Sequence, residues 1–168
     1  LCRSLQKRGY HVDYLSVDSY GRIDLDEARS LIDEETAIVS VMFANNEIGN
    51  IYPVYELAEM AHAKGALFHT DAVQAVGKIP LNLAASQIDF LSLSGHKLHA
   101  PKGIGALYKK RFVPFAPWLV GGHQEHNSRA GTENVAGIAG LGKAAELALR
   151  YMSSENQLVK VLRDRLEA

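Results

Sequence analysis

Residues 36–44, TAIVSVMFA, form a nearly continuous apolar run. A run of this kind marks a strand covered on both faces. It falls far short of the roughly 20 apolar residues needed to cross a bilayer. Such a strand cannot stand alone. It needs neighbouring strands in its own plane and further layers above and below, and the rest of the sequence offers candidates for both.

Upstream, residues 3–8 read as the end of a helix, stopped at Gly9. Residues 10–17 alternate like a strand. Asp24 and Glu27 have the spacing of a capping box, with Asp24 as N-cap. The short helix they start turns Ala28, Leu31 and Ile32 inward. Downstream, Pro53 stands where a helix begins. Val54, Leu57, Ala58 and Ala61 fall on one face of that helix, and Gly65 closes it. Residues 66–70 predict a short strand ending at Asp71, residues 88–93 another ending at Ser94, and residues 105–109 a third. A helical pattern rich in Ala and Leu covers residues 135–152, and its apolar stripe reads as core packing. Strand and helix alternate. This predicts an α/β fold with a mostly parallel or mixed sheet and helices on both faces. The 168 residues suffice for one domain with a real core.

Charge and cysteine content exclude some functions. The net charge of −1 gives no ground for nucleic acid or an acidic membrane as partner. The cluster Lys109-Lys110-Arg111 reads as a solvated loop. A single cysteine, Cys2, cannot form an internal disulfide, which fits a cytoplasmic setting. Nothing in the sequence places an activating group beside Cys2, so it reads as a bystander. The opening Leu1-Cys2-Arg3-Ser4 has neither an initiator Met nor a signal-peptide pattern. The sequence is therefore expected to begin in mid-protein.

In sheets of this type, ligands bind beyond the carboxyl ends of the strands. The polar clusters sit at those ends: Asn45-Asn46-Glu47, then Asp71, then Ser94-Gly95-His96-Lys97. Three loops are thus expected to converge on one site. A lysine just past a buried strand can point into a cleft and form a Schiff base with an aldehyde. Lys97 has that place; Lys102 is a rival that reads as a turn residue. Ser94 and His96 can donate hydrogen bonds to a phosphate. A carboxylate at a strand end, such as Asp71, can keep a pyridine nitrogen protonated, as pyridoxal phosphate (PLP) chemistry requires. Asp71 alone serves equally well as a helix cap. Gln74, three residues on, can hydrogen-bond the phenolic oxygen of the same ring. His69 is expected to alternate to the face opposite Asp71. The histidine pairs 96/99 and 123/126 invite a metal reading, but no Asp, Glu or Cys completes either spacing, and no metal is expected.

Together these residues carry a family resemblance. FHTDAVQAVGKIP (residues 68–80), LSLSGHKLHAPKGIGALY (residues 91–108) and GGHQEHNSRAGTENVAG (residues 121–137) resemble the NifS/IscS group of cysteine desulfurases. That group belongs to the class V aminotransferase-like, fold-type I PLP enzymes. The wording is closer to the nitrogen-fixation branch than to the housekeeping branch. The resemblance spans essentially the whole chain. It implies Lys97 as the cofactor-anchoring and catalytic lysine and Asp71 as the pyridinium partner. It implies Gln74 at the phenolic oxygen, Ser94 and His96 at the phosphate, and Asn46 near that oxygen and the substrate carboxylate. Thr132 would reach the phosphate of the other subunit of a homodimer. Arg129 matches a family arginine without an assigned role.

The implied activity converts L-cysteine to L-alanine and passes sulfur to an enzyme cysteine, for iron–sulfur cluster assembly with a NifU-type scaffold. Family chains are about twice this length or more. The sequence is expected to be one segment of the PLP-binding large domain, with residues 150–168 starting the helix toward a small domain. No cysteine follows Cys2, so the sulfur-accepting cysteine is expected elsewhere and the isolated chain is expected not to turn over. The alternatives are another class V PLP enzyme, such as a selenocysteine lyase, or a non-catalytic interaction fragment.

Overall fold

The computed structural model describes residues 1–168. Its centre is a four-stranded mixed sheet of β1 (Ile38–Met42), β2 (Leu67–Asp71), β3 (Phe90–Ser94) and β4 (Gly105–Lys109), in spatial order β1-β2-β3-β4. The first three strands run parallel and β4 returns antiparallel to β3. The helices are α1 (Cys2–Lys7), α2 (Leu25–Leu31), α3 (Val54–Ala63) and the long α5 (Val135–Glu167); between the last two, α4 (Gln124–Asn127) is a single turn with left-handed backbone at Glu125 and His126.

Register decides the layers. Val39 pairs with Phe68, Val41 with Thr70, and Thr70 with Leu91, so these residues share one face. Helix α3 lies on that face. Val54, Leu57, Ala58 and Ala61 are each fully buried, the i, i+3, i+4, i+7 stripe expected from the sequence. Helix α2 packs outside α3 and contributes Ala28. Gly65 takes φ +81° after the last turn of α3, a conformation that favours glycine and lets the chain turn straight into β2.

A buried pair ties α3 to the sheet. Asp89 is 1% exposed, and its Oδ2 accepts from the Phe68 backbone N–H at 2.8 Å and contacts His62 Nε2 of α3 at 2.7 Å. No helix is long and apolar enough to cross a membrane.

Three expectations need correction. The apolar run at residues 36–44 does form β1, but β1 is an edge strand covered on one face only. Ile38 is 50% exposed, because no element of this chain packs over the second face at that edge. Residues 10–17 do not form a strand. They make a single bridge, Val17 to Ile23, and Tyr10, Tyr14 and Val17 stay exposed, since alternation without a neighbouring strand leaves no ladder to join. The capping box is half present. Asp24 Oδ1 accepts from the N–H groups of Asp26 and Glu27, but the Glu27 carboxylate binds Ser16 instead of returning to the cap. The helical pattern of residues 135–152 and the helix expected over residues 150–168 form one continuous element, α5.

Candidate active site

Parallel pairing puts the carboxyl ends of β1, β2 and β3 side by side, and each end carries one of the polar clusters. After β1 the chain makes a tight loop. The Asn45 N–H donates to Asn50 O at 2.8 Å, and Asn45 Oδ1 accepts from the backbone N–H groups of Glu47 and Ile48. Asn46 sits exposed in this loop. β1 then meets β2 again, since the Phe43 N–H donates to Asp71 O at 2.8 Å.

Asp71 is the last residue of β2 and is exposed. Its Oδ1 accepts from the Val73 N–H at 3.0 Å, which starts the turn that follows, and Oδ2 has no partner. The cap and the site readings of Asp71 are therefore compatible: one oxygen caps and the other is free. Gln74 lies half-buried in the same turn. Lys78 Nζ lies 3.5 Å from Gln74 Oε1. The Lys78 ammonium is pushed down by partial burial and then by the nearby charge of Lys97. Two cations therefore share this corner of the molecule.

Lys97 stands in the 3₁₀ turn Gly95–Leu98 directly after β3. The turn is held at both ends. The Gly95 N–H donates to Ile104 O at 2.9 Å, the Ala100 N–H donates to Gly95 O at 3.0 Å, and His99 closes the turn with φ 63°. A Cβ at Gly95 would crowd Ile104 at 2.7 Å, so the close approach requires glycine here. Leu98 is buried beneath the turn, whereas Lys97 is half-buried and forms no ion pair or hydrogen bond. Ser94 Oγ and His96 Nδ1 are hydrogen-bonded at 2.9 Å.

Asp71, Gln74, Ser94, His96 and Lys97 thus occupy two neighbouring strand ends. Asn46 occupies the third. Thr132 lies in the exposed loop before α5, and its hydroxyl takes part in no side-chain hydrogen bond. Arg129 is exposed, and its guanidinium donates to Ala130 O. Lys102 is exposed in the turn before β4.

One placement differs from expectation. His69 and Asp71 are two residues apart on β2, and a period of two puts them on the same face, not on opposite ones. That signal was present in the spacing. Lys78 lies near Lys97 without any local sequence signal of it. Its nearness to Lys97 arises from packing of the turn over residues 73–78 on Leu98, which no local pattern reports.

Comparison with known proteins decides the family. Residues 2–168 match the family described as aminotransferase class V. The chain belongs to this class V family. Such proteins are PLP-dependent. A protein named cysteine desulfurase from Gluconacetobacter diazotrophicus is 62% identical over 99% of the chain. The cysteine desulfurase NifS of Azotobacter vinelandii is 56% identical over 100% of it. The class V chain spans 42% of the length of each of these relatives. Among solved structures, a NifS-like protein superposes with a TM-score of 0.94 at 42% identity, covering 98% of this chain and 46% of that one. A structure titled SspA in complex with cysteine has a TM-score of 0.83 at 37% identity, covering 86% of this chain and 42% of the other.

Proposed function

We propose that this class V chain is the cofactor-anchoring part of a PLP-dependent cysteine desulfurase that converts L-cysteine to L-alanine and hands sulfur to an enzyme cysteine. The carrying observation is the pairing of β2 with β3, which sets the end that bears Asp71 next to the turn that bears Lys97. The desulfurase relatives at 62% and 56% identity support the choice of reaction within the family. The NifS name of the Azotobacter vinelandii relative supports the nitrogen-fixation branch. Iron–sulfur assembly with a NifU-type scaffold and a cytoplasmic setting belong to the same proposal.

The donor set fits PLP. Lys97 offers an amine with no carboxylate partner. Asp71 offers a free carboxylate oxygen for the pyridine nitrogen, and Gln74 an amide for the phenolic oxygen. Ser94 and His96 offer a hydroxyl and a ring N–H for the phosphate. Asn46 is assigned to the phenolic oxygen and the substrate carboxylate, and Thr132 to the phosphate of the partner subunit in a homodimer. When bound, PLP supplies an electron sink for charge that develops at the substrate α-carbon. Asp71 holds the proton on the ring nitrogen. The Lys97 amine takes the proton from the α-carbon as general base. The exposed second half of α5, from about residue 150, is assigned as the connector to a smaller domain.

Borohydride reduction of the chain in the presence of PLP, followed by peptide mapping, tests the assignment. Label is expected on Lys97. Label on Lys102 would move the anchor, and no lysine label at all would sink the PLP reading.

A further inference from the structure

His69 stands at the centre of a hydrogen-bond row that crosses three strands. Its Nδ1 is 2.8 Å from Ser40 Oγ on β1, and its Nε2 is 2.9 Å from Ser92 Oγ on β3. A neutral imidazole has one donor and one acceptor nitrogen, and a hydroxyl can play either role, so the row is satisfied in either tautomer. Burial pushes the imidazole down, and the Asp71 charge on the same face opposes this only in part. The remaining residues of this face on β1 to β3 include Ile38, Met42, Leu67 and Phe90, so the polar row is set among apolar neighbours.

The three strands joined by His69 are the ones whose ends deliver the site. β1 leads to Asn46, β2 ends in Asp71 and leads to Gln74, and β3 leads to Ser94, His96 and Lys97. The β2–β3 ladder is short, pairing only His69 with Phe90, Thr70 with Leu91 and Asp71 with Ser92. The His69–Ser92 bond reinforces it within two residues of Asp71. No other side chain bonds to both β1 and β3.

We infer that His69 is a positioning residue, tying β1, β2 and β3 together so that Asp71 and the Lys97 turn are held in mutual register for the cofactor. This rests on the reading of the strand ends as a PLP site. The test compares the full chain with His69→Leu, which cannot form the row, and with His69→Gln, whose amide keeps one donor and one acceptor. Ser92→Ala removes one bond and leaves the imidazole. PLP affinity is read from the visible absorbance of lysine-bound PLP, and the thermal midpoint is read without PLP. Ser92→Ala is expected to weaken PLP binding about fivefold, the scale of one lost hydrogen bond, and His69→Leu, which loses two, by about fivefold to thirtyfold. His69→Gln is expected to stay near the parent.

A lower thermal midpoint with unchanged PLP affinity in His69→Leu would mean a merely structural histidine and overturn the inference. So would a Gln variant as weak as the Leu variant. Should His69→Leu fail to fold, Ser92→Ala and Ser40→Ala carry the same comparison. If the parent chain shows no PLP absorbance that Lys97→Ala abolishes, the site reading fails and this inference falls with it.

Discussion

Gly77 lies against Leu98: a Cβ added at Gly77 would overlap Leu98 Cδ2 and come within 3.2 Å of the Ala148 methyl. This contact joins three parts of the molecule. Gly77 belongs to the turn that follows Asp71, Leu98 to the turn that carries Lys97, and Ala148 to α5. Gly77 also holds φ +78°, where a side chain is strained. The two halves of the proposed cofactor site thus pack together at a glycine, where an added Cβ would force the Leu98 side chain to shift.

Gly77→Ala is therefore expected to destabilise the chain by about 1–3 kcal/mol, from overpacking together with the positive φ. It is also expected to weaken PLP binding, because relief of the clash moves one turn away from the other. Urea unfolding and a PLP titration check the two effects together. Gly65→Ala serves as the control: its φ of +81° carries the same backbone strain, but its Cβ would meet nothing. Equal loss of PLP affinity in both variants would remove the special role of the Gly77–Leu98 contact.

Asp71→Asn keeps the shape at the end of β2 and removes the charge. Its Oδ1 cap on Val73 survives as an amide oxygen. Lys97 is expected still to take the borohydride label. PLP affinity is expected to fall about tenfold or more, the scale of a lost charge-assisted hydrogen bond. Unchanged affinity in an absorbance titration would take Asp71 out of the cofactor's reach.

The two buried polar groups of the core are expected to behave in opposite ways. Asp89 is partnered through Oδ2, by the Phe68 N–H and His62. Asp89→Ala leaves both without a partner and is expected to cost about 3 kcal/mol. Thr70 is fully buried as well, but its Oγ1 has no partner. Thr70→Val exchanges an unsatisfied hydroxyl for a methyl of similar size. It is expected to be neutral or to stabilise by about 1 kcal/mol. Denaturation midpoints measured side by side settle the contrast, and a strongly destabilised Thr70→Val would reveal a hydroxyl partner.

What was legible in the sequence depended on whether the signal was local. Helix α3 shows its buried face in the spacing Val54, Leu57, Ala58, Ala61 and its end in Gly65, and the structure bears out both. β4 begins and ends at the expected residues because Gly105 and Lys109 bound a short apolar run. The strand-end positions of Asp71 and Ser94 followed from the same reading. Order within the sheet is a property of the whole fold. Nothing in residues 36–44 says that β1 lies at an edge, so its half-exposed Ile38 was not foreseen. The partner of Glu27 is Ser16, eleven residues away, and such a choice is made by tertiary packing rather than by a capping motif. The left-handed turn at Glu125, His126 and Asn127 carries no glycine to mark it.

Acid should weaken the fold through His69. Its value in the folded chain is lowered from the ordinary 6.5, chiefly by burial, with the Asp71 charge opposing. As pH falls through 6.5 the unfolded chain takes up a proton that the folded chain still refuses, so the unfolded state is favoured. Stability is therefore expected to fall on acidification from 6.5 down to the folded value, and this contribution levels off below it. Asp18, Asp33 and Glu34 are held below the usual carboxylate range by hydrogen bonds from Arg22, from Thr36 and from Lys64 respectively. Their stabilising contributions are lost only in more acid solution, as they protonate, so the two windows separate. Thermal midpoints recorded from about pH 7.5 to pH 5 should decline in the parent chain and decline less in His69→Gln, which keeps the row but cannot titrate. Parallel curves for the two proteins would show that His69 titrates alike in the folded and unfolded states, and the neutral imidazole row would have to be abandoned.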